Sequence, residues 1–178
     1  MGNNNVKTQT ILKGIKVKDM VQVSLMAAVV FVATYALHIP VGTRAVMHLG
    51  DSMIFVAAIV FGKRKAALAS AIGMGLFDLL SPYIIWAPFT FVIKGGMGYI
   101  AAIIAYRRGY KGLNILNNVF AFAIAGIWMV GAYYLAGIVI YSSFIVPLGD
   151  IVPNIIQVIG GAVIATPLAK IIKQANIE

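Results

Sequence analysis

The sequence predicts an all-α membrane protein, a compact bundle of six transmembrane helices with both termini in the cytoplasm. Three observations lead to this fold class. Hydrophobic residues make up 61% of the 178-residue chain and charged residues only 11%, so too few polar side chains exist to cover a soluble globule. The mean hydropathy is +0.95. The apolar residues fall into six segments, and the basic residues concentrate between alternate segments.

The six apolar segments define six predicted helices, with boundaries accurate to a few residues. They span residues 20–37, 49–62, 66–80, 88–106, 116–141 and 151–172. The second segment is short for a bilayer, which requires roughly 20 helical residues. An alternative merges the second and third segments into one hairpin-like element. We favour two helices, because Lys63, Arg64 and Lys65 between them would be costly in hydrocarbon.

The distribution of basic residues predicts the orientation of the chain. With six spans, twelve of the fourteen Lys and Arg residues lie on one side of the membrane: Lys7, Lys13, Lys16, Lys18, Lys63, Arg64, Lys65, Arg107, Arg108, Lys111, Lys170 and Lys173. The positive-inside rule makes this side cytoplasmic. We therefore expect a single membrane domain over residues 1–178, in which residues 1–18 form a cytoplasmic basic segment.

Small residues are frequent in the third, fourth and sixth segments. Within a membrane, such residues let helix backbones approach closely. The glycines of this group are Gly73, Gly75, Gly95, Gly96, Gly98, Gly160 and Gly161. We expect them to mark contacts between helices.

The remaining polar side chains collect in the half of the bundle that is predicted to face outward. This half contains both histidines and three of the five acidic residues, together with aromatic and amide side chains. Mixed donors, acceptors and rings in an apolar wall are typical of a small-molecule pocket. The candidate substrate-binding residues are Arg44, His48, Asp51, Asp78, Tyr83, Trp86, Lys94, Asn154 and Gln157.

Several of these candidates have simpler structural explanations. Asp51 and Asp150 each follow a glycine at a predicted helix start, where an aspartate can cap free backbone N–H groups. Trp86 suits an interfacial anchor as well as a ligand contact. For the loop 42–52, we hypothesise a lid over the pocket, with Gly42 and Gly50 as its flexible ends.

Lys94 is the least expected residue of the set. It lies six residues past Pro88, about 9 Å along the fourth helix. A lysine at that depth reaches outward, pairs with a carboxylate such as Asp78, or meets a ligand. Asn154 and Gln157 are three residues apart and share one helix face, which we expect to be turned away from lipid.

Motifs for chemistry are missing from the chain. It contains no G-x-x-x-x-G-K-[ST] phosphate loop, no H-E-x-x-H and no G-x-S-x-G motif, and it has no cysteine. We therefore expect no enzymatic activity, no cofactor and no metal site. A pocket without its own energy source suggests a substrate-capturing subunit that another protein drives.

Residues 48–102 resemble the S components of energy-coupling factor (ECF) vitamin transporters. The resemblance lies in the Gly-Asp that opens the second helix, the Phe-Gly-Lys turn, the GMGLFD stretch of the third helix and APFTFVIKG of the fourth. It is greatest for the branch associated with hydroxymethylpyrimidine and B6-type compounds. Nucleic acid is not an expected partner.

The resemblance implies a multi-pass protein of a prokaryotic plasma membrane that binds a small water-soluble vitamin. It also implies docking onto a membrane coupling subunit and two ATPase subunits. Family members dock through Ala-x-x-x-Ala in helix one, and the corresponding pair here is Ser24 and Ala28.

The identity of the vitamin stays open at the level of sequence. Hydroxymethylpyrimidine, pyridoxine and pyridoxamine suit the mixed pocket, and riboflavin or pantothenate is an alternative because Arg44 or Lys94 can meet a carboxylate. An autonomous small carrier or channel, a membrane enzyme and a purely structural partner are the competing classes of function.

Overall fold

The computed structural model describes residues 16–41 and 45–175. In this part of the chain, six α-helices follow one another: α1 Val17–Ala36, α2 Gly50–Phe61, α3 Lys63–Leu79, α4 Ala87–Ala105, α5 Ile115–Tyr141 and α6 Ile151–Ala175. Short 3-10 turns occur at Ile84–Trp86, Arg107–Gly109 and Val146–Asp150. Each helix agrees with one predicted segment to within a few residues, so the six-helix prediction is confirmed.

A β-hairpin joins α1 to α2 where the sequence analysis predicted only a loop. Its strands are β1 (His38–Val41) and β2 (Ala45–His48), which pair antiparallel with His38 opposite His48. We call the end of the bundle that carries this hairpin the hairpin end. The opposite end, where α1 begins and α6 finishes, carries the basic loops and is called the basic end.

Helix α2 occupies the centre of the bundle. Six consecutive residues from Ile54 to Ile59 are at most 3% exposed, and Phe55 stacks on Phe122 of α5 with ring centroids 4.2 Å apart. A helix that is apolar on every face is expected to be buried in this way. Because α2 has only 12 residues, about 18 Å of helix, it is too short to cross a bilayer alone.

Four helical stretches of the described chain are long and apolar enough to cross a membrane. They are Val17–Ala36, Ile84–Ala105, Ile115–Tyr141 and Val146–Ala175. These stretches contain α1, α4, α5 and α6, and they bear most of the exposed apolar side chains. Their exposed residues require a hydrocarbon environment, since no aqueous surface of this size carries so many of them.

A glycine separates α2 from α3. Gly62 has φ +75° and ψ −179°, and residues with a side chain rarely adopt such a positive φ. It is both the C-cap of α2 and the N-cap of α3. The prediction of two helices on either side of the Phe-Gly-Lys turn is therefore confirmed.

Close contacts between helices occur where glycines were predicted to permit them. A Cβ on Gly73 would lie 2.6 Å from the carbonyl oxygen of Ala27, and one on Gly98 would lie 2.9 Å from that of Ala66. Helix α3 therefore packs backbone to backbone against α1 on one side and α4 on the other. Gly160 is an exception, because a Cβ there would meet nothing within 4 Å.

Candidate functional site

A pocket opens at the hairpin end, between the hairpin and the ends of α3, α4, α5 and α6. It encloses about 540 Å³ of empty space when its open mouth is included. Eleven residues line it: His48, Met74, Asp78, Tyr83, Trp86, Thr90, Lys94, Tyr133, Asp150, Asn154 and Gln157.

One wall of the pocket contains a buried ion pair. Nζ of Lys94, on α4, lies 2.5 Å from Oδ1 of Asp51, in the first turn of α2, and both side chains are 0% exposed. The same nitrogen lies 3.1 Å from Sδ of Met129 and 5.4 Å from the ring centre of Tyr133. Each charge needs the other, because an isolated charge at this depth would be strongly destabilising.

Gln157 of α6 connects this pair to the hairpin. Its Nε2 donates to Oδ2 of Asp51 at 2.7 Å, and its Oε1 accepts the backbone N–H of His48 at 3.0 Å. Gly161 lies one turn further along α6. A Cβ on this glycine would be 3.2 Å from the backbone nitrogen of Ser52 and 3.3 Å from the carbonyl carbon and the Cβ of Asp51. The glycine therefore allows α6 to come close enough for Gln157 to reach Asp51.

The start of α2 is packed tightly against the hairpin and α1. The N–H of Gly50 donates to Nδ1 of His48 at 3.2 Å, so this ring nitrogen carries no proton. A Cβ on Gly50 would lie 2.0 Å from Oγ1 of the buried Thr34. The expectation that Gly50 is a flexible end of a lid is therefore wrong, because the residue is fixed by close packing.

Aromatic side chains also line the pocket. The ring of Trp86 lies 5.8 Å from that of Tyr133 and 5.9 Å from that of Tyr141, and Tyr83 stacks on Phe77 at 6.4 Å. The Tyr133 hydroxyl and Oγ1 of Thr90 are 3.0 Å apart. These rings offer flat apolar faces beside the polar wall, an arrangement that suits a small heteroaromatic molecule.

Comparison with known proteins then identifies the family. The sequence model of the family described as "ECF-type riboflavin transporter, S component" matches residues 14–174. The chain belongs to the ECF-type S components. It is a membrane-embedded transporter subunit and not an enzyme, so the predicted family, class of function and membrane location are confirmed.

Individual relatives agree with this assignment. The thiamine precursor transporter HmpT of Lactococcus lactis subsp. cremoris (strain MG1363) is 31% identical over 179 residues, covering 99% of this chain and 94% of that protein. A Pyrococcus woesei protein named "Uncharacterized protein in gap 3'region" is 31% identical over 149 residues, covering 82% of this chain and 95% of the relative.

The fold of this S component is also that of a solved relative. The structure described as "Structure and mechanism of the S component of a bacterial ECF transporter" superposes with a TM-score of 0.63 at 21% identity. The match covers 90% of this chain and 96% of the other.

Seven of the nine predicted binding residues of this S component line the pocket: His48, Asp78, Tyr83, Trp86, Lys94, Asn154 and Gln157. Asp51 lies behind that surface, where both of its carboxylate oxygens accept bonds from side chains. Helix capping is therefore not its main role. Arg44 and the predicted lid residue Gly42 lie outside the described residues.

Lys94 pairs with a carboxylate, which was one of the three predicted alternatives, but the carboxylate is not the one suggested. Its ammonium group bonds Asp51 and not Asp78, which lines the pocket separately at 5% exposure. Ser24 and Ala28, the predicted docking residues, are both exposed on α1.

Four lining residues were not among the predicted binding residues: Met74, Thr90, Tyr133 and Asp150, the last of which was considered as a helix cap. Thr90 lies one turn before Lys94 on α4, and this spacing of four residues was a usable signal that both share a face. Met74 and Tyr133 gave no such signal, because neither residue type is unusual in an apolar helix. Among the described residues, no group of three His, Asp or Glu side chains could hold a metal ion.

Proposed function

We propose that this S component captures a small, uncharged heteroaromatic vitamin precursor of the hydroxymethylpyrimidine class in the pocket at the hairpin end. The supporting observation is a pocket lining that combines polar side chains, among them Lys94, Asp78 and Gln157, with the rings of Tyr83, Trp86 and Tyr133. The full-length similarity to HmpT, a protein named for transport of a thiamine precursor, favours this substrate class.

Lys94 supplies a hydrogen-bond donor to the ligand. An ammonium group has three N–H donors; Asp51 takes one and the sulfur of Met129 takes another. The remaining donor suits a ring nitrogen or a hydroxyl oxygen. Asp78 is a matching acceptor for an exocyclic amine, and the faces of Trp86 and Tyr83 suit stacking on the ring.

The charge balance of the pocket disfavours an anionic ligand. The positive charge of Lys94 is compensated by Asp51, and Asp78 adds a carboxylate to the lining. A carboxylate or phosphate on the ligand would meet this negative group in a site of low dielectric. Hydroxymethylpyrimidine should therefore bind better than its phosphate ester or pantothenate.

Uptake requires partners and a defined orientation. We infer six membrane crossings, in which the short α2 is surrounded by the other helices along most of its length. The basic end faces the cytoplasm with both termini, and the pocket opens outward. A membrane coupling subunit and two ATPases then drive transport, and α1 meets the coupling subunit through the exposed Ser24 and Ala28.

Titration of the purified protein in detergent tests the substrate. Hydroxymethylpyrimidine should change the fluorescence of Trp86 and release heat in calorimetry, whereas its phosphate ester should bind at least tenfold more weakly. The substitution Trp128→Phe leaves Trp86 as the single tryptophan, so any remaining change in fluorescence can be assigned to Trp86. Equal affinity for both compounds, or no binding of either, would refute the proposal.

Riboflavin is the second candidate, because the description of the matching family names it. The same titration decides between the two compounds, since bound riboflavin loses its own fluorescence when it stacks on aromatic rings. Saturable binding of riboflavin without binding of hydroxymethylpyrimidine would replace the first proposal by the second.

A further inference from the structure

Gln157 is the side chain through which α6 holds both the hairpin and the buried ion pair. It is 6% exposed, its Oε1 atom accepts the N–H of His48, and its Nε2 group donates to Asp51. A chain of hydrogen bonds therefore runs from Lys94 through Asp51 and Gln157 to the backbone of β2.

The direction of the amide in this chain follows from the charge of Asp51. A carboxylate can only accept hydrogen bonds, so the Nε2 group of Gln157 must point at Asp51. The Oε1 atom must then point at the hairpin, where the N–H of His48 requires an acceptor. If Asp51 became a donor, the amide would turn over, and two donors would face each other at His48.

We propose that Gln157 is a positioning residue that holds β2 over the pocket and couples the hairpin to the state of the Lys94–Asp51 pair. Lys94 and Gln157 both line the pocket, so a ligand that bonds Lys94 acts on the same chain of hydrogen bonds. This chain of hydrogen bonds thus links occupancy of the pocket to the position of the hairpin. The part of this inference that concerns the ligand rests on the proposed function.

A polarity-swap experiment separates this coupling from simple packing. Gln157→Leu removes both bonds, and Gln157→Glu places two carboxylates against each other. The double variant Asp51→Asn with Gln157→Glu keeps the total charge and can rebuild every bond. Its Asn amide accepts from Lys94 and donates to the Glu carboxylate, whose other oxygen accepts from His48.

Movement of the hairpin can be read from a single cysteine, because the chain has none. Phe77 of α3 is 2% exposed, and its ring lies 5.8 Å from that of His38 in β1 and 6.2 Å from that of His48 in β2. Phe77→Cys therefore reacts with a water-soluble maleimide only when the hairpin moves away. Ala136→Cys, at 5% exposure on α5, is the matched buried control.

Without ligand, Gln157→Leu and Gln157→Glu should each speed labelling at position 77 roughly tenfold relative to position 136, the effect of losing one buried hydrogen bond. The double variant should return the rate to near that of the parent. An unchanged rate in both single variants, or no restoration in a double variant that elutes as a folded monomer, would overturn the proposal. If Gln157→Leu does not fold, the Glu variant and the double variant decide alone.

Hydroxymethylpyrimidine is then added at saturation. It should slow labelling at position 77 in the parent and the double variant but not in Gln157→Glu. If titration shows that this compound does not bind the parent protein, the proposed substrate fails, while the ligand-free rates still decide the role of Gln157. If it binds the parent without slowing the label, the coupling to occupancy is refuted.

Discussion

At the scale of single residues, the Lys94–Asp51 pair dominates the energetics of the pocket. Both side chains are 0% exposed, so removing either one leaves a buried charge without a partner. We predict that Lys94→Met and Asp51→Asn each lower the free energy of unfolding by about 3–5 kcal/mol. The combined variant should lose much less than the sum, since neither charge remains, and unfolding in detergent followed by circular dichroism measures the difference.

The chain offers a matched control for this prediction. Lys65 and Asp19 also join two helices, with Nζ and Oδ1 2.6 Å apart, but their side chains are 28% and 35% exposed. Because water solvates either charge after its partner is removed, Lys65→Met should cost only about 1 kcal/mol or less. Similar losses from the two lysine substitutions would contradict the distinction between the buried and the exposed pair.

Single residues also show how far the sequence leads. Lys94 and Gln157 could be identified because a charge or an amide in an apolar helix needs a partner other than lipid. The partner itself could not be identified, since Asp51 and Asp78 both lie at the correct end of their helices. Asp51 is the partner of Lys94 because α2 packs in the centre of the bundle, and this packing could not be read from the sequence. The binding roles of these residues remain predictions.

At the scale of elements, the approach of α6 to α2 positions the network. Gly161 lies against the backbone of Asp51 and Ser52, so a methyl group there must push the two helices apart by a few tenths of an ångström. We predict that Gly161→Ala weakens binding of hydroxymethylpyrimidine about tenfold by drawing Gln157 away from Asp51. Calorimetric titration of the purified variant measures this change.

Gly160 provides the control for that substitution. It is the adjacent residue of the same helix, and an added Cβ would meet nothing within 4 Å. Gly160→Ala should leave affinity unchanged and stabilise α6 by up to about 1 kcal/mol, the difference in helix propensity between the two residues. Equal effects of the two alanines would show that the contact with α2 is unimportant.

The elements themselves were largely predictable. Long apolar segments define the helices, and Gly62 between Phe61 and Lys63 indicates the break between α2 and α3. The hairpin could not be predicted, because each strand has only four residues and no alternating pattern distinguishes it from a loop. That omission led to the wrong expectation of a flexible lid end at Gly50.

At the scale of the whole molecule, the orientation in the membrane follows from the basic end. Arg64 lies in the first turn of α3 at that end, and Ile145 lies at the hairpin end. In whole cells, an impermeant maleimide should label Ile145→Cys and leave Arg64→Cys unmodified until the membrane is permeabilised. Labelling of both positions in intact cells would refute the predicted orientation, and labelling of Arg64→Cys alone would reverse it.

Transport should depend on a separate source of energy, because the chain contains no nucleotide-binding motif. We predict that liposomes with the purified protein bind hydroxymethylpyrimidine without accumulating it. Uptake should appear only when the coupling subunit and ATPases are reconstituted with ATP. Accumulation by the isolated chain would instead identify an autonomous carrier.

We predict that the exposed face of α1 determines whether the complex assembles. Ala28→Trp adds bulk at the predicted contact with the coupling subunit, on a helix that contributes no residue to the pocket lining. It should therefore reduce co-purification and uptake at least tenfold while affinity stays unchanged. Ala123→Trp, at an exposed alanine of α5, makes the same substitution on a face with no predicted partner and should alter neither property. Normal assembly of Ala28→Trp would exclude this face of α1 as the docking surface. Loss of ligand binding together with assembly would show that the substitution disturbs the fold.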